Sequence, residues 1–175
     1  MTILGLKNLR QIGTLVPSSK FLAEKLTQTI SNKKDMKILE LGGGNGVVTK
    51  HILKKLSPGS ELVTYELHPL LYKELKTIDD PRLTVVNTCV QKIDIYSENY
   101  FDLVISCLPM ANFSSTFKGK LMDNIVLIMR NGGTFKQFQY SLTDYLLIKR
   151  TFPAFDLNYC LLNIPPAFIY SGKKL

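Results

Sequence analysis

Two stretches of this chain carry side chains suited to chemistry. The first is ELGGGNG, Glu40 to Gly46, where Gly42, Gly44 and Gly46 fall in an E-x-G-x-G-x-G pattern after an apolar run. Glycines at this spacing let the backbone turn tightly and lie against a ligand where a Cβ would intrude. Glu66 follows at the end of the next apolar run, 20 residues after Gly46. A carboxylate there accepts hydrogen bonds from both hydroxyls of a ribose. The spacing is not the dinucleotide G-x-G-x-x-G, since Val47 follows the glycine at 46. A purely structural turn competes for the glycines alone; with Glu66 they point to a nucleoside-bearing ligand. The second stretch is LVISCLPMANF, Leu103 to Phe113. It begins as a buried strand and breaks at Pro109 among Ser106, Cys107, Met110 and Asn112, without a charged or metal-binding group. Such a lip suits a reaction driven by alignment of its reactants.

The elements that must hold these stretches alternate in type. Apolar runs KILEL (37–41), ELVTYE (61–66), LTVVN (83–87), FDLVIS (101–106) and GTFKQFQY (133–140) read as strands. Helical patterns follow at 47–56, 69–77 and 117–129. The alternation implies βαβ units and a parallel sheet with helices on both faces. Two further apolar runs, 155–162 and 166–170, lack a helix between them and read as a closing hairpin, with one antiparallel strand at the sheet edge. Ahead of the first strand, Ser18 or Ser19 can cap a helix whose Leu22, Ala23, Leu26 and Ile30 share a face. The chain of 175 residues is expected to be one domain, 1–175, with residues 1–31 a helical cover and membrane-contact segment.

Charge narrows the partners. There are 22 basic and 14 acidic residues, a net charge of +8. That surplus favours an anionic partner, nucleic acid or a membrane surface, over a merely solubilising role no more than evenly. Residues 1–35 hold six basic side chains (Lys7, Arg10, Lys20, Lys25, Lys33, Lys34) against Glu24 and Asp35. Cys89, Cys107 and Cys160 are odd in number and scattered, and with His51 and His68 form no ligand pattern, so neither disulfides nor a metal are expected. Lys7, Arg10 and Gln11 interrupt any secretory core, and no run approaches about 18 apolar residues.

ILELGGGNG, the acidic end of TYELHP and FDLVISCLP together resemble the class I S-adenosylmethionine-dependent methyltransferases. The resemblance implies a Rossmann-like, seven-stranded, mostly parallel sheet in the order 3-2-1-4-5-7-6, its last strand antiparallel, with helices on both faces. It implies S-adenosyl-L-methionine as cofactor, its methionine end over Gly42, Gly43, Gly44 and Gly46 and its ribose on Glu66. Adenine falls near Asn87 to Val90, where Cys89 stands in place of the usual Asp and a backbone carbonyl or Gln91 would substitute. Glu40, Leu67, Val90, Cys107 and Leu108 complete the implied cofactor contacts.

Four stretches in order resemble a narrower family, the short bacterial phospholipid N-methyltransferases: GTLVPSSKFLAEKL (13–26), ISCLPMANF (105–113), GGTFKQFQYS (132–141) and NIPPAFIYSGKK (163–174). Cys107 replaces their Gly. The resemblance implies methylation of phosphatidylethanolamine towards phosphatidylcholine, by a monomer in the cytoplasm bound peripherally to the inner face of an anionic membrane. Tyr140, Asn112 and Ser106 are the expected acceptor-side groups. Phe113, Phe138, Tyr140 and Tyr145 are candidate aromatic faces for the quaternary ammonium product. Ribosomal RNA adenine dimethyltransferases are similar in length and charge. At the fourth strand, however, adenine methyltransferases carry Asn or Asp, Pro, Pro or Leu and an aromatic, where this chain has Ser106, Cys107, Leu108, Pro109 and Met110. RNA adenine methylation and small-molecule methylation stand as the alternatives.

Overall fold

The computed structural model describes residues 18–30, 32 and 34–175. Most of the expected helical cover and membrane-contact segment, residues 1–17 and 31, lies outside them. One sheet holds seven strands in the order β3-β2-β1-β4-β5-β7-β6. These are β1 (Lys37–Leu41), β2 (Glu61–Tyr65), β3 (Leu83–Val86), β4 (Phe101–Ser106), β5 (Met129–Gln139), β6 (Ala154–Cys160) and β7 (Ala167–Lys173). The helices are α1 (Lys20–Thr27), α2 (Val47–Lys55), α3 (Pro69–Leu75), α4 (Ser115–Ile128) and α5 (Tyr145–Thr151).

The central strands are apolar at consecutive positions because both sheet faces are covered. Alternate side chains go to opposite sides. Leu39, Leu41, Val104 and Phe135 pack with Leu121, Met122 and Ile125 of α4 and Ile148 of α5. Ile38, Leu62, Leu103 and Ile105 pack with Leu22 and Leu26 of α1 and Val48 and Ile52 of α2. Helix α1 starts where Ser19 Oγ accepts the Leu22 N–H at 3.2 Å. Its Leu22 and Leu26 are fully buried, each worth roughly 1.5–3 kcal/mol against exposure.

Strand β7 is antiparallel to both β5 and β6. The antiparallel strand therefore lies inside the sheet rather than at its edge, and β6 forms the edge. It follows that β6 runs the same way as β5, so the β6–β7 loop emerges at the carboxyl edge of the sheet. There it joins the β1–α2 turn, the β4–α4 lip and the β5–α5 loop. Helix α5, unanticipated in the sequence, lies along the chain between Tyr140 and β6 and packs its Ile148 into the α4-face core.

Candidate functional site

The cofactor side is built from local geometry. After β1 the chain turns back, with the N–H groups of Gly42 and Gly43 donating to Tyr65 O at 2.8 and 3.1 Å. Gly43 has no room for a side chain, since a Cβ there would lie 2.4 Å from Thr64 Cγ2 and 2.8 Å from Leu75 Cδ1. Gly44 sits at φ +54° with open space where its Cβ would project. Glu66, just past β2, accepts the Gly44 N–H on Oε2 and the His68 N–H on Oε1, both at 2.8 Å. These bonds hold the carboxylate against the turn with acceptor capacity left on each oxygen.

Glu40 is fully buried. Its Oε2 accepts from Thr49 Oγ1 at 2.7 Å and Thr64 Oγ1 at 2.8 Å. Burial pushes its carboxyl up to about 7 against those two hydrogen bonds, and the Glu66 charge adds to the rise. Glu40 Oε1 is buried with no hydrogen-bond partner among the described residues. An open glycine cradle, a poised carboxylate and an orphaned acceptor fit a ligand with an amino acid end and a ribose. Towards β3, Asn87 Nδ2 donates to Glu66 O at 2.8 Å and Leu67 O at 3.2 Å. Leu67 is 66% exposed there, an apolar surface for an adenine face. Val90 is buried. Cys89 is half-buried with Sγ 3.9 Å from Gln91 Oε1.

The acceptor side is assembled from distant parts of the chain. Cys107 N–H donates to Leu41 O at 2.8 Å, carrying the β1–β4 pairing one residue past the strand. Cys107 packs on the α1–α2 face with Phe138 and Tyr140. Burial, then the Glu40 and Glu66 carboxylates, push its thiol well above the ordinary range, so it stays neutral beside the cofactor turn. Leu108 Cδ2 stands 3.2 Å from the Cβ position of Gly42, closing the turn on that side.

Tyr140 follows β5, its ring 5.8 Å from that of Phe138 in an edge-to-face pair. The β5–α5 loop that carries it is fixed at several points. Tyr170 OH donates to Ser141 O at 2.9 Å. Lys118 Nζ donates to Asp144 Oδ1 at 2.6 Å and Gln139 Nε2 to Oδ2 at 2.9 Å. Lys118 and Asp144 are both buried.

The sequence missed Asn163. It is fully buried, accepts the Ser19 N–H on Oδ1 at 3.0 Å and donates from Nδ2 to Pro165 O at 2.7 Å and Tyr140 OH at 3.5 Å. One amide thus joins the start of α1, the β6–β7 loop and Tyr140. The only sequence signal was an Asn opening N-I-P-P between two apolar runs.

The expected acceptor groups do not all converge. Ser106 pairs in register with Leu41 and Gln137, which places it on the α4 face, opposite Tyr140. It is buried, and its Oγ has no partner among the described residues. Asn112 lies exposed in the short turn Met110–Asn112. Among the aromatics, Phe113 packs with Phe117 at 4.6 Å and Tyr145 with Phe155 at 5.4 Å on the α4–α5 side. The structure groups Phe138 with Tyr140 and separates both from Phe113 and Tyr145.

This sheet order, with a glycine cradle after β1 and a carboxylate after β2, defines a class I S-adenosylmethionine-dependent methyltransferase. A family model, ribosomal RNA adenine dimethylase, matches residues 14–144, and the chain belongs to that family. It is 25% identical over 166 residues to an ornithine lipid N-methyltransferase of Singulisphaera acidiphila, covering 91% of this chain and 86% of the relative. It is also 25% identical over 152 residues to a ubiquinone/menaquinone biosynthesis C-methyltransferase of Wigglesworthia glossinidia brevipalpis, covering 83% and 60%. Among solved structures, a methyltransferase from Aquifex aeolicus superposes with TM-score 0.71 at 11% identity, over 97% of this chain and 98% of that one. Spermidine synthase from Thermotoga maritima gives TM-score 0.74 at 17% identity, and the chain spans 61% of its length while 90% of this chain is covered. These likenesses show the fold. The cofactor is S-adenosylmethionine.

Proposed function

We propose that the protein methylates the amine of a membrane-lipid headgroup, phosphatidylethanolamine towards phosphatidylcholine, at the cytoplasmic face of the membrane. The observation that carries this reading is the β4 lip. A flat base needs an amide to hold its nitrogen and an aromatic ring to stack on. Cys107 offers a neutral thiol instead, and Met110, where the aromatic would stand, is buried in the α4-face core. The lipid N-methyltransferase matched over 91% of this chain supports the same substrate class.

The cofactor, when bound, supplies an electrophilic methyl on a sulfonium. The chain's own residues then have three tasks. Gly42 to Gly46 and Glu66 hold the cofactor's two ends. Tyr140, backed by Phe138 and tied to Asn163, orients the acceptor amine, whose nitrogen must shed a proton to water before its lone pair forms the new C–N bond as the C–S bond breaks. The same rings stabilise the methylated ammonium through their faces. Cys107, kept as a thiol, does not compete for the methyl.

The test is to give the protein labelled S-adenosylmethionine with phosphatidylethanolamine vesicles, ornithine-lipid vesicles or total RNA. Label is expected in phosphatidylethanolamine. Label in ornithine lipid alone would keep lipid amine methylation and correct the headgroup. The competing reading, adenine N6 methylation of RNA, is favoured by the family model over residues 14–144. Label in RNA alone would establish it and overturn the lipid proposal.

A further inference from the structure

Exposed apolar side chains gather at one point of the sheet's carboxyl edge. In the β6–β7 loop Leu161 is 67% exposed, Leu162 65% and Ile164 83%, the last being the most exposed large apolar residue among those described. Isolated exposed leucines are ordinary, but three within four residues on the lip of a site are not. Asn163 between them is fully buried and hydrogen-bonded to Ser19 N–H and Pro165 O. The loop is therefore anchored through its one polar side chain while the apolar ones face outward.

Its charge pattern is divided as sharply. No charged residue occurs from Leu157 to Gly172. Cations flank the loop at its base. The exposed Lys25 donates from Nζ to Tyr159 O at 3.0 Å, and the exposed Lys20 follows Ser19, which Asn163 holds. An uncharged apolar tip above a basic collar matches the layering of an anionic bilayer, where acyl chains lie beneath negative headgroups. An RNA would be met by basic and polar groups at the tip itself, and the basic side chains here stand only at its base.

We propose that the β6–β7 loop is a membrane-docking finger: Leu161, Leu162 and Ile164 enter the acyl boundary of an anionic bilayer, while Lys20 and Lys25 meet the headgroups. This rests on the lipid reading and extends it, because the loop leaves the same sheet edge as Tyr140 and is joined to it by Asn163. Docking by the finger holds the acceptor lip at headgroup depth.

The chain has no tryptophan, so Ile164→Trp in the full-length protein is a clean reporter. On vesicles of phosphatidylglycerol and phosphatidylcholine its emission shifts to the blue and is quenched by lipids brominated in the acyl chain. Pure phosphatidylcholine gives a weaker response. A Leu162→Asp/Ile164→Asp variant sediments with anionic vesicles at least about tenfold less, yet methylates a monomeric short-chain phosphatidylethanolamine like the parent.

Emission already blue without vesicles and unchanged by them would mean that residues 1–17 or another protein copy cover the loop, overturning the proposal. So would undiminished sedimentation of the double variant. If vesicle lipid is methylated while the introduced indole stays unquenched, the finger fails and the lipid substrate stands. If that indole is quenched while label enters only RNA, the finger stands and the substrate reading fails.

Discussion

The two halves of the site are made in different ways. The cofactor half is local: between Glu40 and His68, its turn and carboxylates are fixed by hydrogen bonds that span no more than 24 residues of the chain. The acceptor half is long-range: Ser19 meets Asn163 across 144 positions, and Lys118 meets Asp144 across 26. Local geometry tolerates little change at a few positions. Long-range geometry spreads over many contacts and fails when one joint is removed. Variants of each half should therefore separate cofactor binding from acceptor methylation.

The largest effect is expected from the buried ion pair under the acceptor loop. Asp144→Ala leaves Lys118 as an uncompensated buried cation, a loss of about 3–5 kcal/mol. Thermal unfolding should show a fall in Tm of roughly 10 °C. Lys118→Met/Asp144→Leu, which removes both charges, should recover most of that. If the single variant is as stable as the parent, the pair does not hold the loop.

Next comes Glu40, which gives the cofactor half a pH signature. Its folded-state value of about 7 lies above the ordinary 4.5, burial being the chief cause. The native state thus keeps a proton that the unfolded chain has lost, so this contribution to stability is present below pH 4.5 and disappears as pH rises through about 7. The loss is on the order of 3 kcal/mol across that window. Glu40→Gln keeps an acceptor for Thr49 and Thr64 without ionising. Without cofactor it should unfold with a Tm nearly flat from pH 5 to 8 and exceed the parent at pH 8. A parent Tm that rises over that range would contradict the assignment.

A third variant confines the damage to binding. Glu66→Ala removes an acceptor proposed for the ribose, and hydrogen bonds to a charged group are worth about 1.5–3 kcal/mol. Calorimetric titration with S-adenosylmethionine should show affinity roughly 10- to 100-fold weaker, and unchanged affinity would remove the ribose role.

The same division decided what could be read from the amino acids. The alternating strands and helices and the glycine turn were legible because parallel strands buried on both faces and a tight turn leave contiguous signatures, whereas the strand order came with the family resemblance. Helix α5 was not: it has seven residues and buries only Ile148, too little periodicity to register. A hairpin's sequence does not say which arm pairs with β5, so the residues alone put the antiparallel strand at the edge, while the order implied by the resemblance puts it inside, where the structure has it. Ser106 was grouped with Tyr140 because both end strands, yet the register puts them on opposite faces. Asn163 acquires its role only from partners that folding brings to it. The family model adds a further lesson: the family kept as an alternative at the β4 lip is the one to which the chain belongs, its match running across residues 14–144 rather than resting on that lip alone.

The smallest effect tests the joint between α1 and the acceptor loop. Ser19 serves twice, its Oγ capping α1 and its N–H bonding Asn163 Oδ1. Ser19→Ala deletes the cap and keeps the N–H, so it should cost about 1 kcal/mol of stability and leave methylation per folded molecule intact. Asn163→Ala deletes the joint instead, stranding the Ser19 N–H and freeing Tyr140. Its kcat should fall several-fold while cofactor affinity holds, as expected for a residue that positions the acceptor side alone. If the two variants lose activity in equal proportion, α1 matters only as packing, and the contrast between a local cofactor half and a long-range acceptor half breaks at this joint.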